Sequence, residues 1–163
     1  MTIDPEVLKS VMRNWTSGVA VVTCGYEGYK HGMTVNSFTS VSISPALIVV
    51  SLENKTRTCK LVKRSQQMGI TILSEKQKEI SDRFAGKVSE DKDRFSGLEI
   101  LHLDSETPFL VDGLAWLDCV VRNEINLGAS TLFIAEVMVA KVGFGEPLLY
   151  HNRDYYRLGK KHD

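Results

Sequence analysis

Gly32-Met33-Thr34-Val35-Asn36-Ser37-Phe38-Thr39-Ser40-Val41-Ser42, followed closely by Ala46-Leu47-Ile48-Val49-Val50-Ser51-Leu52, decides how this chain is read. The second run is apolar and rich in β-branched residues, bounded by Pro45 and by Glu53-Asn54-Lys55, and predicts a buried strand. The first run sets Thr34, Asn36, Ser37, Thr39, Ser40 and Ser42 among apolar neighbours, starting from a glycine. A core strand has no need of that many hydroxyls and amides beside it. A pocket that hydrogen-bonds a flat, heteroatom-rich ligand does, so the stretch predicts a ligand-binding edge on a β fold.

Toward the N-terminus, Asp4-Pro5-Glu6 reads as a helix start, with an N-cap acceptor, a proline whose missing N–H does no harm, and an acid in the first turn. Val7, Leu8, Val11, Met12 and Trp15 form an apolar stripe, which predicts a short helix packed on something else. Gly18 to Thr23 and a run from about His31 read as two strands joined through the turn residues Gly25 to Tyr29. Toward the C-terminus, Asn54 caps a predicted helix through Arg64, and Gln67 to Leu73 reads as a strand. Ser74-Glu75-Lys76-Gln77 is a capping box, opening a helix with Ile80, Phe84 and Ala85 on one face and its end near Gly86. Ser89 opens a further turn through Phe95. Leu114 to Val121 and Thr131 to Val142 are the strongest late strands, with Pro147 to Tyr150 a short last one. Strands do not alternate with long helices, so an antiparallel barrel or sandwich with helices at its ends is expected.

The 163 residues suit one domain, 1–163, with a sizeable core; 43% are hydrophobic and 25% charged. A formal net charge of zero offers no electrostatic footprint for nucleic acid or an anionic membrane surface, and no apolar run approaches a bilayer span. The acidic N-terminus lacks a signal-peptide pattern. Cys24, Cys59 and Cys119 are odd in number and widely spaced, which suits a reducing cytoplasm. Phosphate-loop, dinucleotide and nucleophile-elbow signatures are absent from the sequence. His31, His102, His151 and His162 share no metal-ligand spacing, so no metal site is expected, and no carboxylate pair stands out as general acid and base. Two clusters remain. Lys55-Thr56-Arg57-Thr58, at a helix start after the buried strand, is either a phosphate cradle or a solvated charged turn. The tail His151 to Leu158 carries aromatics that either stack on a ring or dock the C-terminus.

In order and spacing these pieces resemble the short-chain flavin reductases, the FMN-binding split-barrel family whose members serve as reductase components of two-component flavin monooxygenases. The resemblance runs from Trp15-Thr16-Ser17-Gly18 through the Gly32–Phe38 stretch, Val50-Ser51-Leu52, Ile80-Ser81 and Phe84-Ala85-Gly86. It continues in Thr131-Leu132-Phe133-Ile134 and ends at Pro147-Leu148-Leu149-Tyr150 with Tyr155. It implies a mainly β, antiparallel Greek-key split β-barrel with a few short flanking helices, forming a homodimer. It also implies FMN, or FAD, as the flavin and NADH or NADPH as donor, with a partner monooxygenase or another acceptor taking the electrons. By position, Thr34, Val35, Asn36 and Ser37 would line the isoalloxazine edge, largely through main-chain atoms. Ser40, Ser51 and Leu52 would flank the ribityl chain, Lys55, Thr56 and Arg57 would meet the phosphate, and Phe84 and Ala85 would lie close to the ring. No catalytic side chain is implied, since hydride passes between the two cofactors.

Two departures fall on the nicotinamide side. Ser130 stands where the family has a histidine, and Arg153-Asp154 replaces the usual pair before Tyr155. They keep a second reading in play, an FMN-holding electron carrier reduced by a protein donor. A third is a ligand-free β-barrel interaction module.

Overall fold

The structure is a computed structural model and describes residues 2–161. Met1, His162 and Asp163 lie outside the described residues, so the expectation for His162 is not placed. Strands dominate, and seven of them form one antiparallel sheet in the order β3-β2-β6-β9-β10-β5-β4. These are β2 (Ala20–Tyr26), β3 (Tyr29–Val35), β4 (Thr39–Ser42), β5 (Leu47–Glu53), β6 (Gln67–Ile72), β9 (Ala115–Asn126) and β10 (Ser130–Val142).

The opening stretch forces this sheet to curl. β3 and β4 are consecutive in sequence yet lie at opposite edges of the seven-stranded ladder. Six strand spacings in a flat sheet would separate them by about 29 Å. The connection from Val35 to Thr39 spans at most about 14 Å. The sheet therefore wraps round until its two edges face each other, giving a barrel. β3 and β4 do not pair with each other among the described residues, so the barrel is split there. Asn36, Ser37 and Phe38 cross the split.

The core follows the two-residue period of the strands. In β5, Ile48, Val50 and Leu52 are buried while Leu47, Val49 and Ser51 face the other way, half-exposed. The inward set meets Val22, Met68, Ile70, Cys119 and Phe133, all with no exposed surface. A helix α2 (Arg57–Ser65) closes one end, burying Thr58, Cys59 and Val62. A smaller cluster of Val19, Val21, Leu73, Phe84, Phe95 and Leu110 lies under the segment from Glu75 to Phe95. That segment begins as a helical run whose pitch changes along it: a 3-10 turn Glu75–Gln77, the helix α3 (Lys78–Asp82) and a wider turn Arg83–Lys87, ended by Gly86 at φ 118°. The cysteines are free and buried, and burial raises their pKa values, that of Cys119 to about 12 with help from Asp118. They are inert core residues. Among the described residues, no helix is long and apolar enough to cross a membrane.

The structure corrects several local expectations. The β2–β3 turn is only Glu27-Gly28, both at positive φ (50° and 78°), so the strands run through Tyr26 and Tyr29. Thr56, not Asn54, caps α2: its Oγ1 accepts from Cys59 N at 3.2 Å. Asn54 instead donates to Gly128 O at 2.7 Å and accepts from Thr131 Oγ1 at 2.6 Å, holding the β9–β10 turn against β5. The N-terminal helix α1 (Pro5–Met12) forms with Asp4 as its cap, but it buries none of its residues. Three short strands escaped the sequence reading or were misplaced in it: β1 (Ser17–Gly18), β11 (Leu149–His151) and β12 (Asp154–Tyr156) form a small sheet of their own. A further pair, β7 (Ile100–Leu101) and β8 (Phe109–Leu110), forms a two-stranded ribbon.

Candidate functional site

The split in the barrel brings together Thr34, Val35, Asn36, Ala85 and Tyr155 from among the candidate residues. A cleft of about 190 Å³ is lined by Thr34, Val35, Asn36, Ala85, Tyr150 and Tyr155 among others. A second hollow of about 240 Å³ adjoins it through Asn36 and Tyr150, with Trp15 and Arg153 on its far side. A larger hollow of about 840 Å³ opens elsewhere, among Ser74, Gln77, Trp116 and Phe144. None of the candidate flavin or nicotinamide residues lines it, so size does not select the site; the convergence of polar groups does.

Hydrogen bonds fix the cleft's walls. Thr34 Oγ1 donates to Ser81 O at 2.6 Å. Ser81 Oγ shares a 2.8 Å bond with the Tyr155 hydroxyl, so β3, α3 and β12 are tied in series. Tyr155 packs edge-on to Tyr150 with centroids 5.5 Å apart, and the Lys78 ammonium lies 5.1 Å above its ring. Burial pushes the Tyr155 phenol above its ordinary pKa, with the Ser81 bond working the other way, so it stays a neutral phenol. Ser37 Oγ donates to Ser51 O at 2.8 Å and accepts from Ser51 N at 3.3 Å, which stitches the turn across the split to β5. These hydroxyls are occupied with protein partners. What the edge offers a ligand is its main chain, because β3 has a ladder partner on one side only.

The remaining residues are placed as follows. Asn36, Ser37 and Ser40 are exposed along the turn and β4. Ser51 is half-exposed, but Leu52 points into the core with no exposed surface, so only its main chain can reach a ligand. Val35 and Phe84 are also core side chains. Lys55 is exposed and pairs with Glu53 at 2.9 Å. Thr56 is spent on the α2 cap, and its Oγ1 also donates to Glu53 O at 2.8 Å. Ser130 pairs across the ladder with Glu53, whereas Tyr155 belongs with Ser81, so the two keep different company within one chain.

At the Lys55-Thr56-Arg57 turn the start of α2 already has a carboxylate partner. Arg57 N, the first N–H of α2, donates to Glu90 Oε2 at 2.8 Å, so a carboxylate from a distant loop already sits on the helix N-terminus. Its loop is pinned by Arg94, only 4% exposed, whose guanidinium donates to Val88 O at 2.9 Å, Gly32 O at 3.0 Å and Phe84 O at 3.1 Å. Sequence reading missed both residues. A single arginine in a charged loop looks solvated until the fold surrounds it.

His31 lies beneath this turn, 5% exposed, sharing a 2.8 Å bond between Nδ1 and Thr58 Oγ1, while its Nε2 has no partner. Burial lowers its pKa, Glu90 opposes that, and Arg94 and Arg57 reinforce it. A pKa lower in the folded state means that acid favours unfolding. The contribution is present in full above the unfolded value of about 6.5 and is lost as pH falls below it. Thermal melts across that range should show a drop on acidification that His31→Gln lessens; equal slopes in both proteins would clear His31 of the effect.

Residues 12–159 match the model of the flavin reductase like domain. The chain belongs to this flavin reductase family. The NADH-dependent flavin reductase StyB of Pseudomonas fluorescens is 32% identical over 158 residues, covering 94% of this chain and 90% of its own length. The reductase component of a 4-nitrophenol 4-monooxygenase/4-nitrocatechol 2-monooxygenase from Rhodococcus opacus is 30% identical over 149 residues, covering 91% and 78%. Among solved structures, flavin reductase PheA2 in its native state superposes with a TM-score of 0.88 at 34% identity, covering 97% of this chain and all of that one. The split-barrel expectation and the family resemblance are both borne out. These relatives give no support to a carrier reduced by a protein donor.

Proposed function

We propose that this flavin reductase, working as one domain over residues 1–163, passes hydride from NADH to FMN or FAD and hands reduced flavin to a partner oxygenase. The observation that carries the reading is the cleft at the free edge of β3, walled by Ala85 and by the Tyr155–Ser81–Thr34 chain of hydrogen bonds. When bound, the flavin supplies the hydride acceptor. The protein's part is positional. The main chain of Thr34 to Ser37 holds the ring edge, Ser37 and Ser51 keep the split at a fixed width, and Ala85 leaves room that a larger side chain would fill. The α2 N-terminus, Lys55 and Arg57 receive the phosphate. On this reading the flavin is FMN, with FAD the alternative.

The reading includes a homodimer. Val7, Leu8, Val11, Met12 and Trp15 are each about half-exposed or more, an apolar face that a second copy would cover beside the cleft. Three buried free cysteines agree with a cytoplasmic setting.

Purified protein given FMN should hold yellow colour, and NADH should bleach it rapidly without oxygen. Bound flavin that neither NADH nor NADPH bleaches would overturn the reading. Lys55→Ala should weaken FMN binding only about threefold, because an exposed cation already paired with Glu53 gives little more than a surface ion pair. A fluorescence titration showing no change would remove Lys55 from the site.

A further inference from the structure

We propose that Glu90 is a built-in competitor for the flavin phosphate, resting on the phosphate reading of residues 55–57. Glu90 Oε2 accepts from Arg57 N at 2.8 Å, and its other oxygen lies 3.6 Å from Arg94 Nη1. An anion seated on the same N–H group occupies the same space, so phosphate and carboxylate exclude each other. They also repel across a few ångströms, where water screens poorly. The other groups near the helix end are mixed in sign, since Lys55 is already paired with Glu53. Lys55 and Arg57 flank the spot, and His31 lies buried beside it with one ring nitrogen unpartnered.

The two halves of the device are separable. Arg94, buried and bonded to three carbonyls, fixes the main chain of the 88–94 loop. The Glu90 side chain is 38% exposed and held at its tip by the Arg57 N–H. It can swing into solvent without moving the loop. A seated phosphate displaces it, and departure of the flavin lets it return. A carboxylate that re-covers the cradle opposes rebinding and lowers the net affinity for a phosphorylated flavin, which suits a reductase whose product must leave. A ligand without the phosphate does not meet Glu90 at all.

The test compares FMN with riboflavin, titrated by fluorescence quenching into the full-length chain and into Glu90→Gln and Glu90→Ala. We expect FMN to bind each variant about tenfold tighter while riboflavin changes less than twofold, with circular dichroism melts verifying that each variant is folded. Glu90→Asp should stay close to the parent protein. FMN affinity that is unchanged or weaker in both variants, or a gain shared equally by riboflavin, would overturn the competitor role while leaving the phosphate site standing. Equal affinity for FMN and riboflavin in both Glu90 variants as well as in the parent protein would instead remove the phosphate site, and Glu90's role with it.

Discussion

Phe84→Ala is expected to cost about 3–5 kcal/mol of folding stability, the range for emptying a buried aromatic site, and to abolish tight flavin binding. The ring is 1% exposed and packs edge-on to Phe95 with centroids 5.1 Å apart. It also lies where Gly32 has no side chain: a Cβ there would come within 2.9 Å of the ring. Gly32 and Phe84 are thus fitted to each other, one glycine wide. Removing the ring leaves a hole directly behind β3 and beside Ala85, so both walls of the cleft lose support. Urea unfolding would measure the first effect and FMN titration at a temperature well below the melt the second. Phe84→Leu keeps most of the volume and should lose far less of both. A loss under about 1 kcal/mol in the alanine variant would mean that the segment collapses onto the hole.

How much of this was legible in the sequence depends on the range of the interactions. The strands of the main sheet other than β4, the capped start of α1 and the capping box at Ser74, where Gln77 Oε1 accepts from Ser74 N at 3.0 Å, are local, and the sequence carried them. The choice of Thr56 over Asn54 as cap was not legible, because both side chains can cap. It is decided by Gly128 and Thr131, more than seventy residues away, which claim Asn54. The apolar stripe of α1 correctly signalled a helix, but not what would cover it. For Leu52 the signal was present and went unused. With Ile48 and Val50 inward, the two-residue period turns Leu52 inward and Ser51 outward, so the two cannot both present side chains to one ligand. Glu90 and Arg94 had no readable signal, since their partners are main-chain atoms of β3, α2 and the Phe84 turn.

That same pair gives the last expected result. Arg94→Met should destabilise the fold by about 3 kcal/mol. Hydrogen bonds to a charged group contribute about 1.5–3 kcal/mol each, and three that share one guanidinium do not add in full. Methionine matches the length of the stem but donates nothing, leaving the carbonyls of Gly32, Phe84 and Val88 without their cation. The binding consequence separates Arg94 from Glu90. Losing Glu90 uncovers the phosphate cradle and leaves β3 and the Phe84 turn in place. Losing Arg94 frees the loop and slackens Gly32 and Phe84 together, so FMN and riboflavin should weaken alike. Limited proteolysis should cut the variant between Lys87 and Phe95 before the parent protein is touched. If Arg94→Met resists cleavage there and keeps its melting temperature, the guanidinium is not what holds this loop, and the packing of Phe84 on Phe95 alone must do so.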